Sequence, residues 1–71
     1  MEFDYSKLRG RMRERGLTQE EVAIGSQMSP STFSLKLNNQ SNFSQDDICN
    51  IANILEIPHV EIGVYFFTLV V

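Results

Sequence analysis

The sequence predicts an all-α fold of five helices in a single small domain, organised around two short helices set close together. Three observations predict it. Helix starts recur at Thr18, Ser29 and Ser44, each a hydroxyl residue placed to cap a helix N-terminus. Each cap sits inside an apolar pair, Leu17/Val22, Met28/Phe33 and Phe43/Ile48, at the N′ and N4 staple positions. Apolar residues after each cap then recur at spacings of three and four, the period of a helix with one buried face. A chain of 71 residues has room for one core near the lower limit of self-sufficiency, so residues 1–71 read as one domain.

The first helix is predicted from about Tyr5 to Arg15, with Asp4 as its cap and Gly16 as the residue that ends it. Leu8 and Met12, four apart, form a narrow apolar stripe with Tyr5 on the same side. Helix two starts at Thr18, where Glu21 at N3 completes a capping box, and runs to about Gly25 with Val22 and Ala23 turned inward. Helix three starts at Ser29 with Pro30 at N1, where a missing N–H costs nothing, and runs to about Leu37. Only Ser26-Gln27-Met28 separates the two, too little chain for an antiparallel return. Residues 18–37 therefore read as a helix-turn-helix.

A polar loop, Asn38 to Asn42, follows. Helix four restarts with Ser44 as cap and Asp47 at N3, and its face of Ile48, Ile51, Ala52 and Leu55 marks it as the central core helix. Glu56-Ile57-Pro58 stops it, and a short helical turn is expected from Pro58 to Ile62. The end, Val64 to Val71, is almost wholly apolar and β-prone, and is read as an extended tail too short to span a bilayer. Such a strand is an association hazard unless covered. It is expected to pack on the helices, to pair with Met1-Glu2-Phe3, or to meet a second subunit.

A hydrophobic content of 42% excludes a disordered chain. The single Cys49 excludes an internal disulfide, and with a single His59 no metal-ligand cluster is visible. Cys49 reads as a small core residue and His59 as a surface residue. No apolar stretch has the length of a transmembrane helix or the form of a signal peptide, so the chain reads as cytoplasmic, with no membrane partner. No nucleophile–base pair, carboxylate pair in an apolar setting or phosphate loop is present, so neither an enzyme nor a cofactor is expected. Charge is unevenly placed. The net charge is −3, yet Lys7, Arg9, Arg11, Arg13 and Arg15 all lie in helix one. From Gly16 onward, Lys36 stands against Glu20, Glu21, Asp46, Asp47, Glu56 and Glu61.

The string LTQEEVA…MSPSTF, inside a small five-helix chain, resembles the Cro/CI-type helix-turn-helix regulators of temperate phages and bacteria, which share the lambda-repressor-like fold. The wider string, MEFDYSKLRGRMRERGLTQ through STFSLKLNN with the terminal YFF, is similar to small Cro-like switch proteins of phages from Gram-positive hosts, of the lactococcal modulator-of-repression type. The resemblance implies a role in the lysis–lysogeny choice through operator DNA, a partner CI-type repressor, or both. It implies that Gln19 touches phosphate, that the outward face of helix three reads bases, and that helix one lies away from the groove. Two positions depart from the family. Gln27 stands where the turn carries Gly, and is expected either to take a positive φ at modest strain or to sit in a different turn. Ser26 stands where helix two contributes a Leu.

With Phe33 and Leu37 inward, a step of about 100° per residue points Ser31, Thr32, Leu35, Asn38 and Asn39 outward and leaves Lys36 on a flank. Ser and Thr suit several bases, Asn suits adenine, and an apolar group can touch a thymine methyl. The arginine that most often reads guanine is missing, as are cations to neutralise phosphate, while Glu20 and Glu21 add negative charge. The basic residues of helix one read as a solvated flank partnered by Glu14 and other acids. The candidate DNA- or partner-binding set is therefore Gln19, Glu20, Glu21, Gln27, Ser31, Thr32, Leu35, Lys36, Asn38 and Asn39. It supports two expectations. In the first, an anti-repressor presents this surface to the basic DNA-reading face of a partner repressor, with DNA binding by the chain alone weak. In the second, a stand-alone Cro-like repressor dimer binds operator DNA. Homodimer and heterodimer both remain open.

Overall fold

The computed structural model describes residues 2–71, and the cap residues set its helices. α1 spans Ser6–Glu14, α2 Gln19–Gly25, α3 Pro30–Leu37, α4 Gln45–Leu55 and α5 Ile62–Phe66, the last preceded by a 3-10 turn at His59–Glu61. Thr18 and Ser44 form full capping boxes. The Thr18 N–H donates to Glu21 Oε1 at 2.9 Å and the Glu21 N–H to Thr18 Oγ1 at 3.1 Å. The Ser44 N–H donates to Asp47 Oδ2 at 2.9 Å and the Asp47 N–H to Ser44 Oγ at 3.0 Å. Ser29 caps singly, because its N3 residue is Thr32 rather than an acid. Its Oγ accepts from the Thr32 N–H at 3.1 Å and donates to Thr32 Oγ1 at 2.9 Å. At α1, Tyr5 occupies the cap position without a side-chain bond, and Asp4 Oδ1 accepts the Ser6 N–H at 2.9 Å.

The four longer helices end alike. Past each end a residue turns left-handed: Gly16 (φ 70°), Gln27 (62°), Asn39 (63°) and Glu56 (54°). The next N–H then reaches back into the last turn, from Leu17 to Met12 O, Met28 to Ala23 O, Gln40 to Leu35 O and Ile57 to Ala52 O, each at 2.9 Å. These are Schellman ends, which satisfy carbonyls the helix leaves free. They also turn the chain sharply enough for α2 and α3 to pack at once on one core.

That core holds Leu8, Val22, Phe33, Ile51, Leu55 and Phe66, all essentially without solvent exposure. α4 is its centre, touching α2 on one side and α5 on the other. Gly25 lets α2 come close, since a Cβ there would lie 2.8 Å from Ile54 Cδ1. Phe43, the staple residue before α4, packs edge-on against Tyr5 and Phe66 and tilted against Phe33, at centroid distances of 5.3, 5.6 and 6.0 Å.

Two expectations are corrected. The tail is not extended from Val64, because Val64 to Phe66 complete α5; burying Phe66 at 1% exposure outweighs the β-propensity of the run. Cys49 is exposed, since it lies about 100° round α4 from Ile48 and beyond the edge of the apolar face. The last residues do pair with the N-terminal ones. Phe3 and Leu69 form an antiparallel bridge, with the Asp4 N–H donating to Thr68 O at 2.7 Å and the Val70 N–H to Glu2 O at 3.1 Å. Among the described residues, no helix is long and apolar enough to cross a membrane.

Candidate functional site

α2, the Ser26–Ser29 turn and α3 present one continuous surface, and most of the predicted residues lie on it. Gln19, Glu20, Glu21, Gln27, Ser31 and Asn38 are exposed, and Leu35 is 46% exposed despite its apolar side chain. Glu21 is doubly used. It closes the α2 capping box, and the Thr18 N–H followed by the Thr18 hydroxyl holds its carboxyl below the usual carboxylate range. Thr32 is half-buried, with its hydroxyl engaged by Ser29. Gln27 takes the positive φ where the family pattern has Gly, so the turn keeps its shape at the cost of local strain. Ser26 is buried at 2% exposure, and its Oγ has no hydrogen-bond partner among the described residues.

Two predicted site residues are withdrawn from the surface. Lys36 pairs through Nζ with Asp47 Oδ2, both side chains being largely buried. Desolvation pushes the Asp47 carboxyl up, but Lys36 and the Ser44 cap together outweigh it and leave the pKa lowered. The only cation of α3 is therefore spent on joining α3 to the start of α4. Asn39 is a clamp rather than a reader. Its Oδ1 accepts the Phe3 N–H and its Nδ2 donates to Phe3 O, both at 2.9 Å, holding the outer edge of the N-terminal segment as a neighbouring strand would.

Three features of this surface and its margin escape sequence reasoning. Ile24 is 62% exposed, and the helical step puts it between Glu20 and Glu21 at the centre of the outer face of α2; the same wheel that placed α3 would have found it. α1 is not simply a solvated flank. Arg11 donates from Nε to Leu55 O at 2.9 Å and from Nη2 to Glu56 O at 2.8 Å, capping the C-terminus of α4, and it meets Glu14 at 3.8 Å as expected. Arg15 pairs with Glu56. Arg9 and Arg13 instead line an open groove of about 320 Å³ with Met12, Leu17, Thr18 and Gln19, and Arg9 Nη2 reaches Asn38 Oδ1 at 3.4 Å. α1 thus borders the helix-turn-helix surface instead of lying remote from it. Among the described residues no cluster of His, Cys, Asp and Glu is arranged to hold a metal ion.

The fold and this surface define a small five-helix, lambda-repressor-like helix-turn-helix domain whose outer face sets polar and acidic residues around the exposed Ile24 and Leu35. Residues 1–69 match the family described as a protein of unknown function, DUF739, and the chain belongs to that family. It is similar to the modulator of repression (MOR) of the temperate bacteriophage TP901-1 from Lactococcus lactis. That solution structure superposes with a TM-score of 0.78 at 39% identity, over 94% of this chain and 90% of the other. No curated protein matches the chain.

Proposed function

We propose that this chain acts in a phage lysis–lysogeny switch inside the host bacterial cell, as a transcriptional regulator and anti-repressor. It binds a partner CI-type repressor through the α2–α3 surface, and operator DNA with or without that repressor. Kinship with a phage modulator of repression supports the switch. The observation that carries the choice of partner is the pairing of Lys36 with Asp47. It leaves Glu20, Ile24, Ser31, Leu35 and Asn38 on the surface with no free cation of α2 or α3 among them. Such a face repels phosphate and attracts the basic surface with which a repressor holds DNA.

The second reading is a stand-alone Cro-like repressor. Ser31 and Asn38 favour it, being exposed where hydrogen-bonding side chains of a recognition helix reach bases. Gel shifts on phage switch-region DNA at two salt concentrations, with and without the neighbouring repressor, separate the two. The anti-repressor reading expects at most a weak shift from the chain alone, and loss or displacement of the repressor's shift when the chain is added. Tight, salt-sensitive binding by the chain alone would establish the second reading instead. The double change Glu20→Lys with Glu21→Lys is expected to weaken the repressor complex about tenfold or more and to strengthen non-specific DNA binding.

A further inference from the structure

The cations of this acidic chain fall into two groups. Arg11, Arg15 and Lys36 each meet a carboxylate, and Arg11 also caps α4. Lys7, Arg9 and Arg13 meet none among the described residues, although the chain carries nine acids, and two of the three, Arg9 and Arg13, share a groove. They stand one helical turn apart on α1, and both line the groove of about 320 Å³ between α1 and the start of α2. Between them lie Met12 and Leu17, an apolar floor that is buried or half-buried. A matching occupant brings two negative charges about a turn apart and an apolar group between them.

We propose that this groove is a docking site for an acidic helical segment of a protein, with carboxylates four residues apart flanking an apolar side chain. Duplex DNA matches it less well. Its phosphates are a continuous array, one charge per roughly 1.7 Å of axis, and those adjoining the groove would run onto Glu20 and Glu21, which follow Gln19 directly. A protein segment carries two discrete charges and presents an apolar side chain to Met12 and Leu17. The site adjoins the outer face of α2 and shares Gln19 with it, but its charges are of opposite sign, so it stands whether or not that face binds a repressor.

The test uses the ¹⁵N-labelled full chain, titrated with three probes. These are a synthetic helical peptide bearing glutamates four apart around a leucine, its glutamine analogue, and a short random-sequence duplex. The acidic peptide should move the amides of Arg9, Met12, Arg13, Leu17 and Gln19. The double change Arg9→Gln with Arg13→Gln should weaken it about tenfold, whereas Glu20→Lys, which leaves the Thr18–Glu21 capping box in place, should leave or strengthen it. Arg13→Gln alone, at an exposed position with no side-chain bond among the described residues, serves as the second variant should the double change disturb folding. Equal binding of the glutamine analogue, or shifts outside the groove, would overturn the proposal. Tighter binding of the duplex to the same residues would overturn it in favour of a phosphate site. Loss of repressor binding in Glu20→Lys with peptide binding intact would separate the two surfaces.

Discussion

At the scale of single residues, the left-handed positions carry most of the information. Four helices end by the same backbone route, yet only Gly16 is a residue that takes positive φ freely. Asn39 tolerates it and uses its amide on Phe3, so the conformation and the clamp come from one side chain. Gln27, at φ 62°, has no side-chain hydrogen bond among the described residues to offset its strain. Gln27→Gly should therefore stabilise the domain by about 0.5–1 kcal/mol, the relief of left-handed strain less the added freedom of the unfolded chain. Urea denaturation checks this, and a loss of stability would mean that the Gln27 side chain contributes a contact the geometry does not reveal. Ser26, one residue earlier, is a second local compromise, a buried hydroxyl without a partner among the described residues. Both lie in the turn of the helix-turn-helix, where the sequence departs from the family pattern.

At the scale of elements, α3 and α4 are tied by Lys36 and Asp47, and α4 is closed at its far end by Arg11. The Arg11 guanidinium serves two carbonyls, Leu55 O and Glu56 O, that a helix end leaves without partners. Arg11→Leu, which keeps the apolar stem, is expected to cost about 1.5–3 kcal/mol, the range for hydrogen bonds to charged groups. Arg13→Leu, at an exposed position with no side-chain bond among the described residues, should stay within about 0.5 kcal/mol. Equal effects in chemical denaturation would show that Arg11 acts only through its charge. The Asp47 carboxyl is lowered in the folded state, so its contribution is fully present above its unfolded pKa and is lost as pH falls through the folded value. Stability should thus decline as pH drops below about 4. Asp47→Asn should lower stability at neutral pH and flatten that decline, as read by thermal unfolding across an acid pH series. An undiminished acid slope in the variant would assign the effect to other carboxylates.

These ties mark where sequence reading stops. The caps at Thr18, Ser29 and Ser44 were legible because cap, N3 partner and staple lie within five residues of one another. The stripes of α1 and α4 were legible because their period is local. Asn39 on Phe3 and Arg11 on Leu55 join residues 36 and 44 positions apart, and nothing in the local pattern distinguishes a clamping Asn or a capping Arg from a solvated one. The same holds for Lys36, whose withdrawal from the candidate surface depends on where α4 begins in space. Cys49 and Ile24 are different. Both positions follow from the helical wheel once the buried face of each helix is fixed.

At the scale of the molecule, the chain closes on itself. The first described residues and the last meet in one antiparallel bridge, edged by the Asn39 amide on the Phe3 side and packed edge-on through Phe3 and Phe67 at 5.8 Å. An isolated pairing of this length has little stability of its own, so it persists because α5 delivers the segment after Phe66 and Asn39 holds Phe3. The two ends should therefore belong to one cooperative unit with the helices. A chain ending at Phe67 loses the bonds from Asp4 to Thr68 O and from Val70 to Glu2 O, and is expected to lose about 1–3 kcal/mol while still unfolding in a single transition. Its Asp4 amide should exchange with solvent at the rate of an open segment, whereas in the full chain it should exchange far more slowly. Leu69→Lys separates backbone from side chain, because Leu69 is half exposed. It should leave stability within about 0.5 kcal/mol. Unchanged stability and unchanged Asp4 exchange in the shortened chain would mean that the pairing frays independently and that the helices alone carry the fold.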